Sequence, residues 1–498
     1  MEPNRVQFLE NRTLLVTGAS GFLAKGIFFS AKVFVERILR LQPNVKRLYL
    51  LVRASDKKSA EQRLHSEVFE KDLFRVLRKN IGDESLSALI SEKVVPVPGD
   101  ISLNNMGVTD SNLLQDMVQE IDLVFHAAAT TRFDERYDVA LRINTFGALN
   151  VLNFAKKCVK SQLLLHVSTA YVCGERSGVI QEKPFAFGET LNGRTKVDIE
   201  TEMQLVEQKL KSLVEQGCSE EETKHAMKDL GTKRAKLYGW PDPYVFTKAM
   251  GEMFLGQYRE NMPIVIIRPT MITSTFLDPF PGWIEGVRTV DSVVVAYGKG
   301  VLKCFLVDQK VACDIIPVDM VANAMIVTAD EHFHDLGSQT VYHVASSYQN
   351  PIVYKQIYEV SVRYFMKSPL LSRSGMPIVP KATLFLSTMA MFRLYTSLRF
   401  KFPLQVLRLL SITFPLQFGD KYERHNRKFK MAMRLVKFYE PYLLFKGIFE
   451  DQNLETLRIK NEAKEMHDLS GFNLICIDWE DYFMNTHIPG LVTHALNK

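Results

Sequence analysis

Tryptophan is scarce in this chain, with three in 498 residues, and the six cysteines (Cys158, Cys173, Cys218, Cys304, Cys313 and Cys476) form no C-x-x-C pair. That scatter excludes a zinc ribbon and a disulfide framework, leaves no metal site to expect, and points to a reducing compartment. A charge excess is missing too: 62 Lys and Arg face 56 Asp and Glu, a net +6, so charge alone indicates no nucleic-acid partner. Ala382 to Phe392 is uncharged, but Lys381 and Arg393 bracket it too closely for a spanning helix, which needs about 20 residues. Met1-Glu2-Pro3-Asn4-Arg5 has neither a signal-peptide apolar core nor a Ser/Arg-rich transit pattern, so a protein facing the cytosol is expected. What remains is a soluble composition, 46% hydrophobic and 24% charged, on a length that calls for two or three domains.

Apolar runs of strand length recur at Thr13–Val16, Arg47–Val52, Val94–Val97, Leu123–Phe125, Leu163–Val167 and Ile264–Ile267, most of them separated by helix-length segments. Continuous rather than alternating hydrophobicity predicts a parallel sheet covered on both faces, a doubly wound α/β fold of Rossmann type. The first run leads into Thr17-Gly18-Ala19-Ser20-Gly21-Phe22-Leu23-Ala24 and then an apolar helix-like segment. Strand, glycine turn and helix make a pyrophosphate cradle: Gly18 allows the turn, Gly21 lets the backbone approach the phosphates, and the helix N-terminus meets their charge. Ser20, Phe22 and Leu23 belong to the same turn.

The other strand ends carry further cofactor candidates. Arg53 closes the second strand, where a cation neutralises a 2′-phosphate and an acid would accept from a 2′-OH, so NADPH is favoured over NADH. A solvated surface arginine is the plainer reading. Asp100 suits the adenine amino group or a simple turn. Ala127 and Ala128 are small enough to let a flat cofactor lie on the backbone, or a helix start pack closely.

Tyr244 and Lys248 stand four apart in Pro243-Tyr244-Val245-Phe246-Thr247-Lys248, which on a helix puts them on one face. A nearby ammonium favours the phenolate and makes tyrosine a usable acid. Tyr-x-x-x-Lys by itself is a common surface pair. Behind a dinucleotide cradle, and with Ser168-Thr169 ending the fifth strand, it becomes an acid, a tuner and a carbonyl-orienting hydroxyl.

These motifs, with His166-Val167-Ser168-Thr169-Ala170-Tyr171-Val172, Ile267-Arg268-Pro269-Thr270, Pro281-Gly282-Trp283 and Tyr439-Glu440-Pro441-Tyr442, resemble the plant alcohol-forming fatty acyl-CoA reductases of the extended short-chain dehydrogenase/reductase superfamily. The resemblance covers essentially the whole chain. It implies NADPH-dependent reduction of a long-chain acyl-CoA through an aldehyde to a primary alcohol, with CoA released. It also implies Tyr244 as proton donor, Lys248 on the ribose, Thr169 rather than Ser168 as orienter, and Arg268 at the cofactor. Gly26 to Lys32 departs from the family pattern, as an insertion of two helical turns. Either a longer first helix keeps Val33, Val35, Ile38 and Leu39 toward the sheet, or the cradle is loosened. The second case would leave a weakened or non-catalytic lipid-associated homologue, and a sterol or nucleotide-sugar enzyme of the same superfamily is a further alternative.

The expected division is 1–350 as the cofactor-binding domain, with substrate insertions at about 185–240 and 275–315, and 351–498 as a mostly helical, sterility-type domain. Met203, Val206, Leu210 and Leu213 give the first insertion an amphipathic helix, serving as lid or decoration; Glu220-Glu221-Glu222 reads as a solvated charge run. Ala382 to Phe392, with Lys381, Arg393, Arg399 and Lys401 around it, suits either a core helix or one lying in a membrane interface. Lys421, Arg424, Arg427, Lys428, Lys430, Arg434 and Lys437 suit anionic head groups, the phosphates of CoA, or a solvated basic face. Peripheral attachment to the cytosolic face of the endoplasmic reticulum, or a cytoplasmic location, follows as the expectation.

Overall fold

The computed structural model describes residues 7–19, 28–462 and 473–496. Seven strands form one wholly parallel sheet: β1 (Thr13–Thr17), β2 (Arg47–Val52), β3 (Val94–Pro98), β4 (Leu123–His126), β5 (Leu163–Val167), β6 (Ile264–Pro269) and β7 (Gln339–Val344), in spatial order 3-2-1-4-5-6-7. Six are the expected apolar runs. The seventh, Gln339-Thr340-Val341-Tyr342-His343-Val344, carries enough polar residues to escape a search for continuous hydrophobicity. The pleat explains why the other runs are mostly apolar: on β1, Leu14 and Val16 enter one core and Leu15 the other, so that strand has no side facing water.

Helix α1 (Phe28–Leu41) and helix α6 (Val318–His332) pack together, while α2 (Gly147–Lys157) packs against α5 (Pro243–Tyr258). Val33, Val35, Ile38 and Leu39 are all buried, as the longer-helix alternative requires. Burial on α1 extends to its charges, each of which finds a partner. Lys32 donates to Glu285 at 2.6 Å, Arg40 to Glu36 at 2.8 Å, and Arg37 pairs with Asp278, tying α1 to the 275–315 insertion.

In the first insertion lie α3 (Ile199–Glu215) and α4 (Glu220–Leu237), clamped by Glu202, which accepts from the Tyr137 hydroxyl at 2.8 Å and from Arg234 Nε at 2.9 Å. Glu220-Glu221-Glu222 is exposed, as a solvated charge run would be, and forms the first turn of α4, where Ser219 and Glu222 make a reciprocal capping box.

Beyond residue 350 the architecture changes but the core does not divide, since Leu454, Tyr482 and Leu491 belong to the same apolar cluster as Leu14. Gly447–Phe449 pairs with Gly178–Ile180, and Leu384–Leu386 with Cys304–Leu306. That second pairing corrects the expected helix over Ala382 to Phe392: a strand occupies its middle and a helix starts only at Met389. Two further helices follow, α7 (Phe402–Thr413) and α8 (Pro415–Leu443). Among the described residues no helix is long and apolar enough to cross a membrane.

Candidate active site

The strand order reverses between β1 and β4, and a ligand crevice is expected at the carboxyl ends of those strands. Gly18 sits there with φ +91°. A Cβ at this position would lie 2.8 Å from Ala128 N and 2.9 Å from the Ala127 carbonyl carbon, so glycine is required by the turn and by the approach of the β4 end alike. The Thr17 hydroxyl completes the join, bonded to His126 Nδ1 at 2.8 Å and accepting from Ala128 N–H at 3.2 Å. Ser20, Gly21, Phe22 and Leu23 lie outside the described residues.

On the next strand Thr169 caps a short turn, accepting from the Tyr171 N–H. It lies near enough to the Tyr244 phenol to oppose the rise in that group's pKa. Tyr244 and Thr169 are 6% and 5% exposed, so this pair is closed from bulk water. Ser168 lies beside them, fully buried, with no partner for its hydroxyl among the described residues. Burial raises the phenol's pKa, and the nearby Asp242 carboxylate adds to the rise.

Lys248 is one turn along α5 but does not meet the phenol. Its amine donates to the Val167 carbonyl at 2.7 Å and lies 3.1 Å from His166 Nε2, and burial lowers its pKa to about 7. The expected ammonium–phenol contact is therefore not what sets the acidity of Tyr244 in this state: desolvation dominates both groups. His166 in turn lies against His126, ring centres 4.9 Å apart, and both histidines are held neutral by burial.

The remaining candidates divide. Arg53 is exposed just past β2, and Asp100, just past β3, accepts from the Ser102 N–H at 2.9 Å. Arg268 differs from expectation. Its guanidinium grips the buried Glu252 carboxylate, with Nε–Oε1 at 3.1 Å and Nη2–Oε2 at 2.5 Å, and so serves a core ion pair rather than the crevice. Residue spacing could not reveal this, because Glu252 is far in sequence and close only across the α5–β6 packing. Asp242 also escaped notice. It accepts from the Tyr244 and Val245 N–H groups at 2.9 and 3.1 Å, capping α5, and an Asp directly before Pro243 at the first helical position was the available signal.

Three observations at this rim fit a dinucleotide: a glycine with no room for a side chain, the small residues Ala127 and Ala128 opposite, and buried polar atoms awaiting partners. The last are His126 Nε2, His166 Nδ1 and Ser168 Oγ. Among the described residues no cluster could hold a metal ion.

Comparison with known proteins agrees. The NAD-binding profile of the male sterility protein family matches residues 16–325, and a second male sterility protein profile matches 399–498. Probable fatty acyl-CoA reductase 4 of Arabidopsis thaliana is 62% identical over 500 residues, covering 100% of both chains. Alcohol-forming fatty acyl-CoA reductase of Simmondsia chinensis is 49% identical over 494 residues, covering 99% of each. The terminal reductase domain of the myxalamid biosynthetic pathway shares the fold, with a TM-score of 0.55 at 16% identity over 97% of this chain and 91% of that one. A nicotinamide cofactor follows from the profile and the rim together. The chain belongs to the fatty acyl-CoA reductase family of oxidoreductases.

Proposed function

We propose that the protein reduces a long-chain fatty acyl-CoA to the primary alcohol by way of the aldehyde: RCO–SCoA + 2 NADPH + 2 H⁺ → RCH₂OH + CoASH + 2 NADP⁺. The observation that carries this is Tyr244, buried beside Thr169 past the carboxyl ends of the strands that hold the Gly18 turn. Tyr244 holds the proton that the developing alkoxide takes, and Thr169 aligns that oxygen. Burial keeps the phenol protonated, so the donor is loaded at neutral pH. Giving up the proton leaves a phenolate in low dielectric, which Lys248, titrating near 7, can offset by taking up charge.

NADPH, when bound, supplies the hydride. Gly18, Ser20, Gly21, Phe22 and Leu23 would hold its diphosphate, Arg53 its 2′-phosphate, Asp100 its adenine, Ala127 and Ala128 its flat face, and Lys248 its ribose. The first helix buries Val33, Val35, Ile38 and Leu39, which favours an active enzyme over a weakened homologue.

The partner surface we propose is an anionic membrane on the cytosolic face of the endoplasmic reticulum. Helix α7 has no buried residue, and Leu409, Ile412 and Leu416 are 66%, 68% and 103% exposed near the α7–α8 corner, with Arg399, Lys401 and Arg408 around them. This apolar corner replaces the 382–392 segment as the candidate contact.

The test is purified protein with NADPH and palmitoyl- or stearoyl-CoA, quantifying alcohol, free CoA and NADP⁺. Two NADPH oxidised per alcohol and per CoA is expected. A ratio of one, with aldehyde accumulating, removes the second reduction, and absence of NADPH oxidation overturns the assignment.

A further inference from the structure

The C-terminal motif Tyr439-Glu440-Pro441-Tyr442 lies at the end of α8, far in sequence from the crevice, yet it reaches the proton donor. Tyr442 donates its hydroxyl proton to Asp242 Oδ2, while Asp242 Oδ1 accepts from the Tyr244 and Val245 N–H groups. One carboxylate thus joins the C-terminal helical region to the first turn of the helix that carries Tyr244 and Lys248. The aromatic packing follows the same line: Phe133 stacks on Tyr442 with centres 4.9 Å apart, meets Tyr439 edge-on at 5.5 Å, and lies 6.0 Å from Tyr244. On the far side Tyr171 meets Tyr442 at 5.3 Å.

We propose that Tyr442 is a positioning residue: by anchoring the Asp242 carboxylate that caps α5, it fixes the place of the Tyr244 phenol, so that the C-terminal region completes the active site. This rests on the acyl-CoA reductase assignment above for what Tyr244 does, though not for how it is held. The physical need is plain. Asp242 is buried, and burial pushes its pKa up to about 6, a rise that the Tyr442 hydroxyl opposes together with the two backbone N–H groups. The titratable groups facing it are Tyr244 on its own helix and Tyr442 from α8, with Tyr171 beyond Tyr442. Lys248, a turn further on, is engaged with Val167 and His166. Of these groups only Tyr442 bonds the carboxylate through its side chain. Losing that hydroxyl raises the carboxyl pKa into the neutral range, and a protonated cap holds its N–H groups less firmly.

The test uses the full-length protein and the conservative variant Tyr442→Phe, with two readouts. The first is the pH profile of kcat. The variant should lose about threefold in kcat at pH 6.5, approaching about tenfold below about pH 5.5, with the NADPH KM within about twofold, as its acidic limb moves up by about one pH unit. Asp242→Asn, which cannot titrate, should lack that limb, and adding Tyr442→Phe to it should change kcat less than about twofold. The second readout is hydrogen exchange of the Tyr244 and Val245 amides, which should quicken in Tyr442→Phe by about tenfold or more at pH 6.5. It needs no substrate, so it decides the anchoring even if acyl-CoA is not reduced. Parallel pH profiles, additive losses in the double variant, or unchanged exchange at those two amides each overturn the proposal.

Discussion

Helices α5 and α7 are both rich in apolar residues, and they meet opposite fates. In α5, every residue from Pro243 to Leu255 is buried, including Lys248 and Glu252. In α7, none of the twelve residues is buried, although Leu404, Val406, Leu409, Leu410 and Ile412 are as hydrophobic as anything in α5. The difference lies in what covers them. Around α5 stand the sheet, the insertion helix α4 and the end of α8, so its polar groups must pair internally, and they do, as Glu252 with Arg268 and Lys248 with the Val167 carbonyl. Around α7, among the described residues, stand chiefly α8 and the Ser397–Lys401 turn that precedes it. An apolar helix that the protein leaves uncovered calls for a partner of its own.

Four changes would break or sharpen that contrast. The largest effect is expected at the buried helix: Lys248→Met should lower turnover by at least about 10², measured as NADPH oxidation with palmitoyl-CoA. Retained turnover would strip α5 of its chemical role. On the uncovered helix, Leu409→Asp with Ile412→Asp should weaken binding to phosphatidylserine vesicles by tenfold or more, since each buried apolar side chain is worth about 1.5–3 kcal/mol. Co-sedimentation measures this, with turnover on micellar substrate staying within twofold. Equal sedimentation would mean that α7 meets something other than lipid.

Gly18→Ala should destabilise the crevice by about 1–3 kcal/mol and weaken NADPH binding, because its Cβ meets the Ala127–Ala128 backbone. Fluorescence titration with NADPH checks it. The smallest effect is expected where the C-terminal region joins the sheet. Glu182 accepts from the His343 and Asn453 N–H groups at 2.7 Å each, and burial pushes its pKa up to about 8 from 4.5. The folded protein then keeps a proton that the unfolded chain releases across that window, so this group's stabilising contribution declines as pH rises from about 4.5 to 8. Glu182→Gln should flatten the decline, visible as a difference of about 1–2 °C in the Tm drop between pH 5.5 and 8.

Much of the sheet was legible in the sequence because strands buried on both faces must be largely apolar, and each of the six runs is, with Thr13, Arg47 and His166 the polar residues among them. Gln339–Val344 was not: it is an edge strand in which Gln339, Thr340 and His343 interrupt the apolar run, although Val341 to Val344 are buried. The preference for Thr169 over Ser168 beside Tyr244 could be read only through family likeness, since both hydroxyls follow the same strand and spacing alone does not separate them. Arg268 misled because a cation at a strand end suits a phosphate and a buried glutamate equally; only packing brings Glu252 to it. Asp242 and Tyr442, two hundred residues apart, leave no joint trace in the order of the chain. The exposed helix α7 was not singled out in the sequence, and Ala382 to Phe392 was, because absence of charge is visible in a sequence and absence of a covering element is not.

The most direct test of the central claim is single-turnover reduction of palmitoyl-CoA by Tyr244→Phe with NADPH affinity measured in parallel. A fall in rate of about 10²–10⁴ with the dissociation constant for NADPH within twofold is predicted. A rate within tenfold of the unsubstituted enzyme, with the cofactor bound equally well, would mean that the proton comes from elsewhere.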